Sequence, residues 1–210
     1  MKNILLAILI LGTSFSTFAQ LEIKTDALGL TYKNYALGYE YIINDNISVS
    51  ITTKYILDNA IMESMRNLQN TDYSFSAMKI IPEFRYYFNP KLGGDGIFIG
   101  GYGIYKTEYF SDLVYVHPAT NDKYDYTMHY DGQGLGLIGG YKLLTNSRFS
   151  FEGLIGIGRV TPYHIVQSSI SKYYIGENYY YENNYISLWD IRIELNIGFR
   201  IGKMNKNNTN

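Results

Sequence analysis

The chain contains no cysteine, so disulfides and thiolate metal centres are excluded even in an oxidising compartment. It also lacks any charge imbalance: 18 Lys and Arg against 19 Asp and Glu leave a formal net charge of −1. Electrostatic capture of nucleic acid needs a basic patch or stripe, and none is present. No apolar run approaches the ~20 residues of a membrane-spanning helix; the run at the N-terminus, Ile4 to Leu11, is much shorter. If this chain enters a membrane it must do so as strands, because hydrocarbon tolerates only helices and closed barrels.

Residues 1–19 carry one cation, Lys2, then the apolar run, then small and polar residues ending Thr17-Phe18-Ala19. That layout predicts a secretory signal peptide cleaved after Ala19. The remainder, about 190 residues, is the size of one domain. It is expected to span 20–202 and to end in a polar tail at 203–210. What the chain has in excess is aromatic: 23 tyrosines and 10 phenylalanines, with 20 glycines. Tyrosine favours places where an apolar ring meets a wet edge, as at a membrane interface.

The run from Leu188 to Gly202 sorts its side chains by parity. Odd positions are Trp189, Ile191, Ile193, Leu195, Ile197, Phe199 and Ile201; even positions carry Asp190, Arg192, Glu194, Asn196, Gly198 and Arg200. Neighbouring side chains of a strand point to opposite faces, so this strand separates an apolar medium from an ionic one. Trp189 to Phe199, at roughly 3.3 Å per residue and a tilt of about 40°, rises about 25 Å, the height of a barrel's lipid-facing band.

Alternation and turn residues predict eight strands, at 21–32, 35–43, 47–57, 77–88, 97–109, 129–143, 149–161 and 185–202. Asn44-Asp45-Asn46, the stretch 89–96 and the stretch 144–148 are short and rich in turn-formers. The segments 58–76, 110–128 and 162–184 are long. Short turns alternating with long loops are the layout of an outer-membrane barrel. The predicted fold is all-β: an eight-stranded antiparallel up-and-down transmembrane β-barrel.

Alternation alone does not say which face points inward; a soluble lipocalin-like barrel would bury the apolar one. Volume decides. An eight-stranded lumen is just wide enough to be filled by side chains, and Ile, Leu, Phe, Tyr and Trp from every strand would overfill it. Glycine and long charged side chains fit, and an Arg or Lys facing lipid near the midplane would cost roughly 2–4 kcal/mol. The expected inward set is Glu40, Lys54, Lys79, Glu83, Arg85, Glu152, Asp190, Arg192, Glu194 and Arg200, neutralising one another in a plugged lumen.

Certain stretches carry a family resemblance. Lys24-Thr25-Asp26-Ala27-Leu28, Leu37-Gly38-Tyr39-Glu40-Tyr41, Ile47-Ser48-Val49 and above all Pro82-Glu83-Phe84-Arg85-Tyr86-Tyr87-Phe88, followed by Phe98-Ile99-Gly100-Gly101-Tyr102, resemble a Bacteroidota-type outer-membrane β-barrel family of unknown function, small barrels of the OmpA/OmpX kind. The resemblance spans about residues 22–110. It implies an outer-membrane location and the barrel fold, and brings no catalytic residue with it.

Three histidines, His117, His129 and His164, fall in or beside predicted external loops near Ser111 and Ser168. They keep open the alternative of an outer-membrane lipid-modifying enzyme, an acyl hydrolase or transferase, which would need a nucleophile and a base near the outer leaflet. No nucleophile motif surrounds them, and no two have metal-ligand spacing. The expectation is no enzyme, no cofactor and no metal. In the loop at 58–76, Ile61, Met62, Met65 and Leu68 share one face of a possible short helix. The stretch 172–185 gathers Tyr173, Tyr174, Tyr179, Tyr180 and Tyr181, a composition suited to an adaptable recognition surface. Expected partners are outer-membrane lipid and, during insertion, the barrel-assembly machinery, with the protein a monomer.

Overall fold

The computed structural model describes residues 20–57, 74–116, 123–145, 148–170 and 188–202, and at 114–116, 123–126 and 164–170 the backbone alone. The predicted signal peptide, Ile61, Met62, Met65, Leu68, His117, Tyr173, Tyr174, Tyr179, Tyr180, Tyr181 and the tail lie outside these residues.

Eight antiparallel strands close into a barrel, each paired with its sequence neighbours and the last with the first. They are β1 (Gln20–Asp26), β2 (Asn34–Ile42), β3 (Ile47–Leu57), β4 (Ser74–Phe88), β5 (Gly96–Val116), β6 (Lys123–Leu144), β7 (Phe149–Ile170) and β8 (Leu188–Ile201), with a short helix α1 (Ala27–Thr31) after β1. One inward rung runs Glu22, Glu40, Ser50, Glu83, Tyr102, Gly136, Gly158, Asp190 around the wall. Glu22 itself pairs with Arg200, ten positions along β8 from Asp190. That stagger requires strands tilted by about 40°.

The parity of β8 holds without exception from Trp189 to Ile201: odd residues exposed, even ones buried. The same outward apolar face continues through Leu135, Leu137, Ile155 and Ile157. Exposed aromatic residues stand on it toward both ends, Tyr86, Phe88, Tyr141, Phe149, Phe151 and Phe199 toward the short turns and Tyr35, Tyr55, Tyr105, Tyr109 and Tyr163 toward the other. At this second margin Arg159 lies over the Trp189 ring, 5.6 Å from its centroid.

The first predicted strand, 21–32, is corrected: it stops at Asp26. The Asp26 side chain accepts a hydrogen bond from the Gly29 amide at 3.0 Å and caps α1, which converts a potential strand continuation into a helical turn. A Cβ at Gly29 would lie 2.8 Å from Asp26 Oδ2 and 2.9 Å from the Asn34 carbonyl, so the turn fits only glycine. Lys33, at φ 54°, then reverses the chain into β2. The predicted long segments 110–128 and 162–184 are corrected too. β5, β6 and β7 run to 21, 22 and 22 residues, roughly twice what an apolar band of about 25 Å needs. Paired backbone carries these strands past the point where side-chain alternation ends.

Candidate functional site

Among the described residues, chemistry-bearing side chains converge in the lumen, which is built in layers from the short-turn end upward. At the bottom, Arg200 donates from Nε and Nη2 to Glu22 Oε2 at 3.1 and 3.0 Å, and from Nη1 to Gln20 Oε1 at 3.0 Å. It also donates to the carbonyls of Gly93 and Gly94 at 2.5 and 3.2 Å. Both glycines have positive φ, 79° and 57°, a backbone shape that turns these carbonyls onto the guanidinium. The turn between β4 and β5 thereby closes that end of the barrel.

Above it, Glu40 accepts from Lys142 at 2.7 Å, Lys24 at 3.0 Å, Ser48 at 2.6 Å and Tyr87 at 2.6 Å. Arg85 then joins β4 to β7, with Nη1 2.5 Å from Glu152 Oε2 and Nη2 2.6 Å from Glu83 Oε2. Glu83 passes the chain to Arg192 at 2.7 Å, Arg192 to Glu194 at 2.8 Å, and Glu194 to Lys54 at 2.7 Å. Lys54 ends on Asp26 at 3.1 Å. Asp26 thus serves both the helix cap and the network. Such pairing is what a buried ion requires, since each charge left unpaired in low dielectric is strongly destabilising.

Eight of the ten charges expected inward, Glu40, Lys54, Glu83, Arg85, Glu152, Arg192, Glu194 and Arg200, form this buried assembly. Asp190 is buried apart from it and accepts the Tyr102 hydroxyl at 2.8 Å; Lys79 is half-buried and 3.5 Å from Asp190. Sequence reading misses Glu22, Lys24 and Asp26 of β1, Lys106 of β5 and Lys142 of β6. All five share the parity of an inward face, which is the signal that could have found them. It also misses that part of the lumen is apolar: Ile81, Tyr87, Phe98, Tyr102, Ile104, Ile138, Leu154 and Val160 form a buried cluster. Glycine makes room for these rings. A Cβ on Gly136 would collide with the Tyr102 ring, and one on Gly158 would lie 2.6 Å from its hydroxyl.

Of the histidines, His129 lies within β6, in the strand expected from 129 to 143. Its Nε2 is 3.2 Å from Asp131 Oδ1, its ring stacks on Tyr109 at 4.3 Å, and the Thr107 hydroxyl also donates to Asp131. Here the carboxylate stands between the hydroxyl and the imidazole, so the histidine is not placed to take the hydroxyl's proton. Only the backbones of His164 and Ser168 are described. Ser111 Oγ is 3.0 Å from Asp112.

A family defined as a protein of unknown function, DUF3575, matches residues 4–199. The chain belongs to the DUF3575 family. No curated protein matches this DUF3575 chain. Among solved structures it is similar to a major outer membrane protein from Thermus thermophilus, at 16% identity and TM-score 0.45, over 87% of this chain and 99% of that one. It is similar to the translocator domain of the autotransporter NalP from Neisseria meningitidis, at 11% identity and TM-score 0.42, over 82% of this chain and 56% of that one. A third is the N-terminal β-barrel domain of Pseudomonas aeruginosa OprF, at 13% identity and TM-score 0.26, over 87% and 96% of the two chains. At these values the likeness says nothing of what the DUF3575 chain binds or does.

Proposed function

We propose that this DUF3575 protein is an integral outer-membrane barrel with a plugged, charge-filled lumen and no enzymatic site, acting as a structural element or in recognition through the parts that project beyond the membrane. The observation that carries this reading is the distribution of exposure. Large apolar side chains, Leu135 at 76% and Ile191 at 72% among them, stand on the outside, while Glu40, Arg85, Lys142 and Arg200 are fully enclosed. In water that arrangement exposes an apolar belt around the whole wall, far beyond the few hundred Å² a soluble monomer tolerates. In a bilayer the same belt is solvated by acyl chains. A soluble lipocalin-like barrel needs the opposite arrangement.

The resemblance to Bacteroidota-type barrels, the secretory leader at 1–19, a monomeric state, contact with outer-membrane lipid and delivery by the barrel-assembly machinery belong to this same reading. The lipid-modifying alternative draws no support from His129, whose carboxylate neighbour intervenes between it and the Thr107 hydroxyl. Membrane fractionation with electrophoresis of unboiled samples tests the proposal. The protein is expected in the detergent-extracted envelope and is expected to migrate as a compact species that unfolds only on boiling. Recovery in the detergent-free periplasmic extract, or migration as an unfolded chain before boiling, would overturn it.

A further inference from the structure

Three lysines stand abreast in the upper half of the lumen. Lys54 of β3 pairs in register with Lys79 of β4, and Lys79 with Lys106 of β5, so their Cβ atoms are about 5 Å apart on one inward rung. Like charges directly opposite each other destabilise a sheet, and lower in the same lumen the chain resolves such a conflict internally. Glu22 and Glu40 are also direct register partners, and Lys142 sits between them at 3.2 and 2.7 Å. Among the described residues no carboxylate stands within ion-pair distance of two of these lysines. Lys54 turns to Asp26 and Glu194, Lys106 to Glu108 at 3.0 Å, and Lys79 reaches Asp190 only at 3.5 Å.

Unused polar atoms surround the same level. The Tyr130 hydroxyl, on a residue only 8% exposed, has no hydrogen-bond partner, and neither has Nη1 of the buried Arg192. Tyr130 lies beside Lys106, whose Nζ is 4.9 Å from its ring centroid. Its hydroxyl is 3.3 Å from where a Cβ of Gly132 would stand, which aims it into the lumen. Gly132 and Gly134 lie on the inward face of β6 beside Lys106 and Ile104, with Val160 Cγ1 and the Tyr130 ring packed against Gly132. An orphaned buried hydroxyl or guanidinium nitrogen is destabilising unless a partner arrives.

We propose that the upper lumen holds an oxyanion, a phosphoryl, sulfuryl or carboxylate group, between Lys79 and Lys106, with the Tyr130 hydroxyl as a further donor and Lys54 and Arg192 supplying charge. The anion takes the place that Lys142 occupies, with opposite sign, between Glu22 and Glu40. Solvent reaches Lys79, so an anion has a path. The inference rests on the lumen and not on the membrane reading, because the rung faces inward whatever surrounds the barrel.

Calorimetric titration of the folded full-length protein in a phosphorus-free maltoside detergent with inorganic phosphate tests it. One saturable site is expected, weakened at least about tenfold in K79Q and in K106Q and less in Y130F. K91Q, at the exposed turn, is expected to leave it unchanged. A second arm separates a dissolved anion from a lipid headgroup: native mass spectrometry of protein extracted from membranes. A co-purifying phospholipid that K79Q loses and phosphate displaces assigns the site to a headgroup, and phosphate binding without such a lipid assigns it to a dissolved anion. Unboiled electrophoresis verifies that each variant is folded, and Y130F, which removes one oxygen, stands in should a lysine variant fail to fold. The absence of saturable binding in both arms, or unchanged affinity in the folded variants, would overturn the proposal.

Discussion

Lys142 of β6 and Glu40 of β2 meet at 2.7 Å across the barrel, 102 residues apart in sequence and both fully enclosed. Four donors converge on that one carboxylate. The lumen is therefore held by a few multiply bonded centres, and each can be addressed separately.

Glu40→Gln removes the charge facing Lys142 and Lys24 and is expected to destabilise the barrel by about 3–5 kcal/mol, the range for breaking a buried pair on one side. The double variant E40Q/K142M is expected to lose less than the two single losses added, since it leaves fewer orphaned charges. Urea unfolding in lipid vesicles, followed by the fluorescence of Trp189, the single tryptophan, measures both. Strict additivity would refute a direct coupling.

Gly136 leaves the space that the Tyr102 ring fills. Gly136→Ala is expected to cost about 1–3 kcal/mol through overpacking, and the cost is expected to shrink in a Tyr102→Val background, where the ring is gone. The same unfolding assay reads the difference.

Asp26 joins the α1 cap to Lys54. Asp26→Asn keeps a capping oxygen and loses the ion pair, whereas Asp26→Ala loses both. The alanine variant is expected to be less stable by about a further 1 kcal/mol, with faster amide hydrogen exchange confined to residues 27–32. Equal stability of the two would show that the cap contributes nothing.

Conductance offers a separate check on the lumen. In a planar bilayer the wild type is expected to give no steady open level, because Arg200 ties the turn carrying Gly93 and Gly94 beneath the lumen. Arg200→Ala is expected to introduce brief openings as that closure loosens. Steady large conductance by the wild type would contradict a plugged lumen.

Much of this architecture is legible in residue order, and the exceptions have physical causes. β8 announces itself because each of its faces is uniform from Trp189 to Ile201. The end of β1 does not, because Ala27 to Thr31 alternates as plausibly as a strand. What ends it is a cap on Asp26 whose second oxygen is held by Lys54, a residue 28 positions away. The far reaches of β5 to β7 look like loops in the sequence because alternation is imposed by two different media on two faces, and it fades where both faces meet similar surroundings. Parity gives the inward direction of Arg85, Glu83 and Glu152 but not their partners, which the register of distant strands decides. The adjacency of Lys54, Lys79 and Lys106 is invisible without that register.

The most direct test of the central claim, that acyl chains touch the apolar exterior, moves the single tryptophan to the middle of the band: Ile193→Trp in a Trp189→Phe background, reconstituted in vesicles with lipids brominated along the acyl chain. Blue-shifted emission, strongly quenched by chain-centre bromines and insensitive to aqueous iodide, is the predicted result. Quenching by iodide with none from the brominated lipids would contradict it.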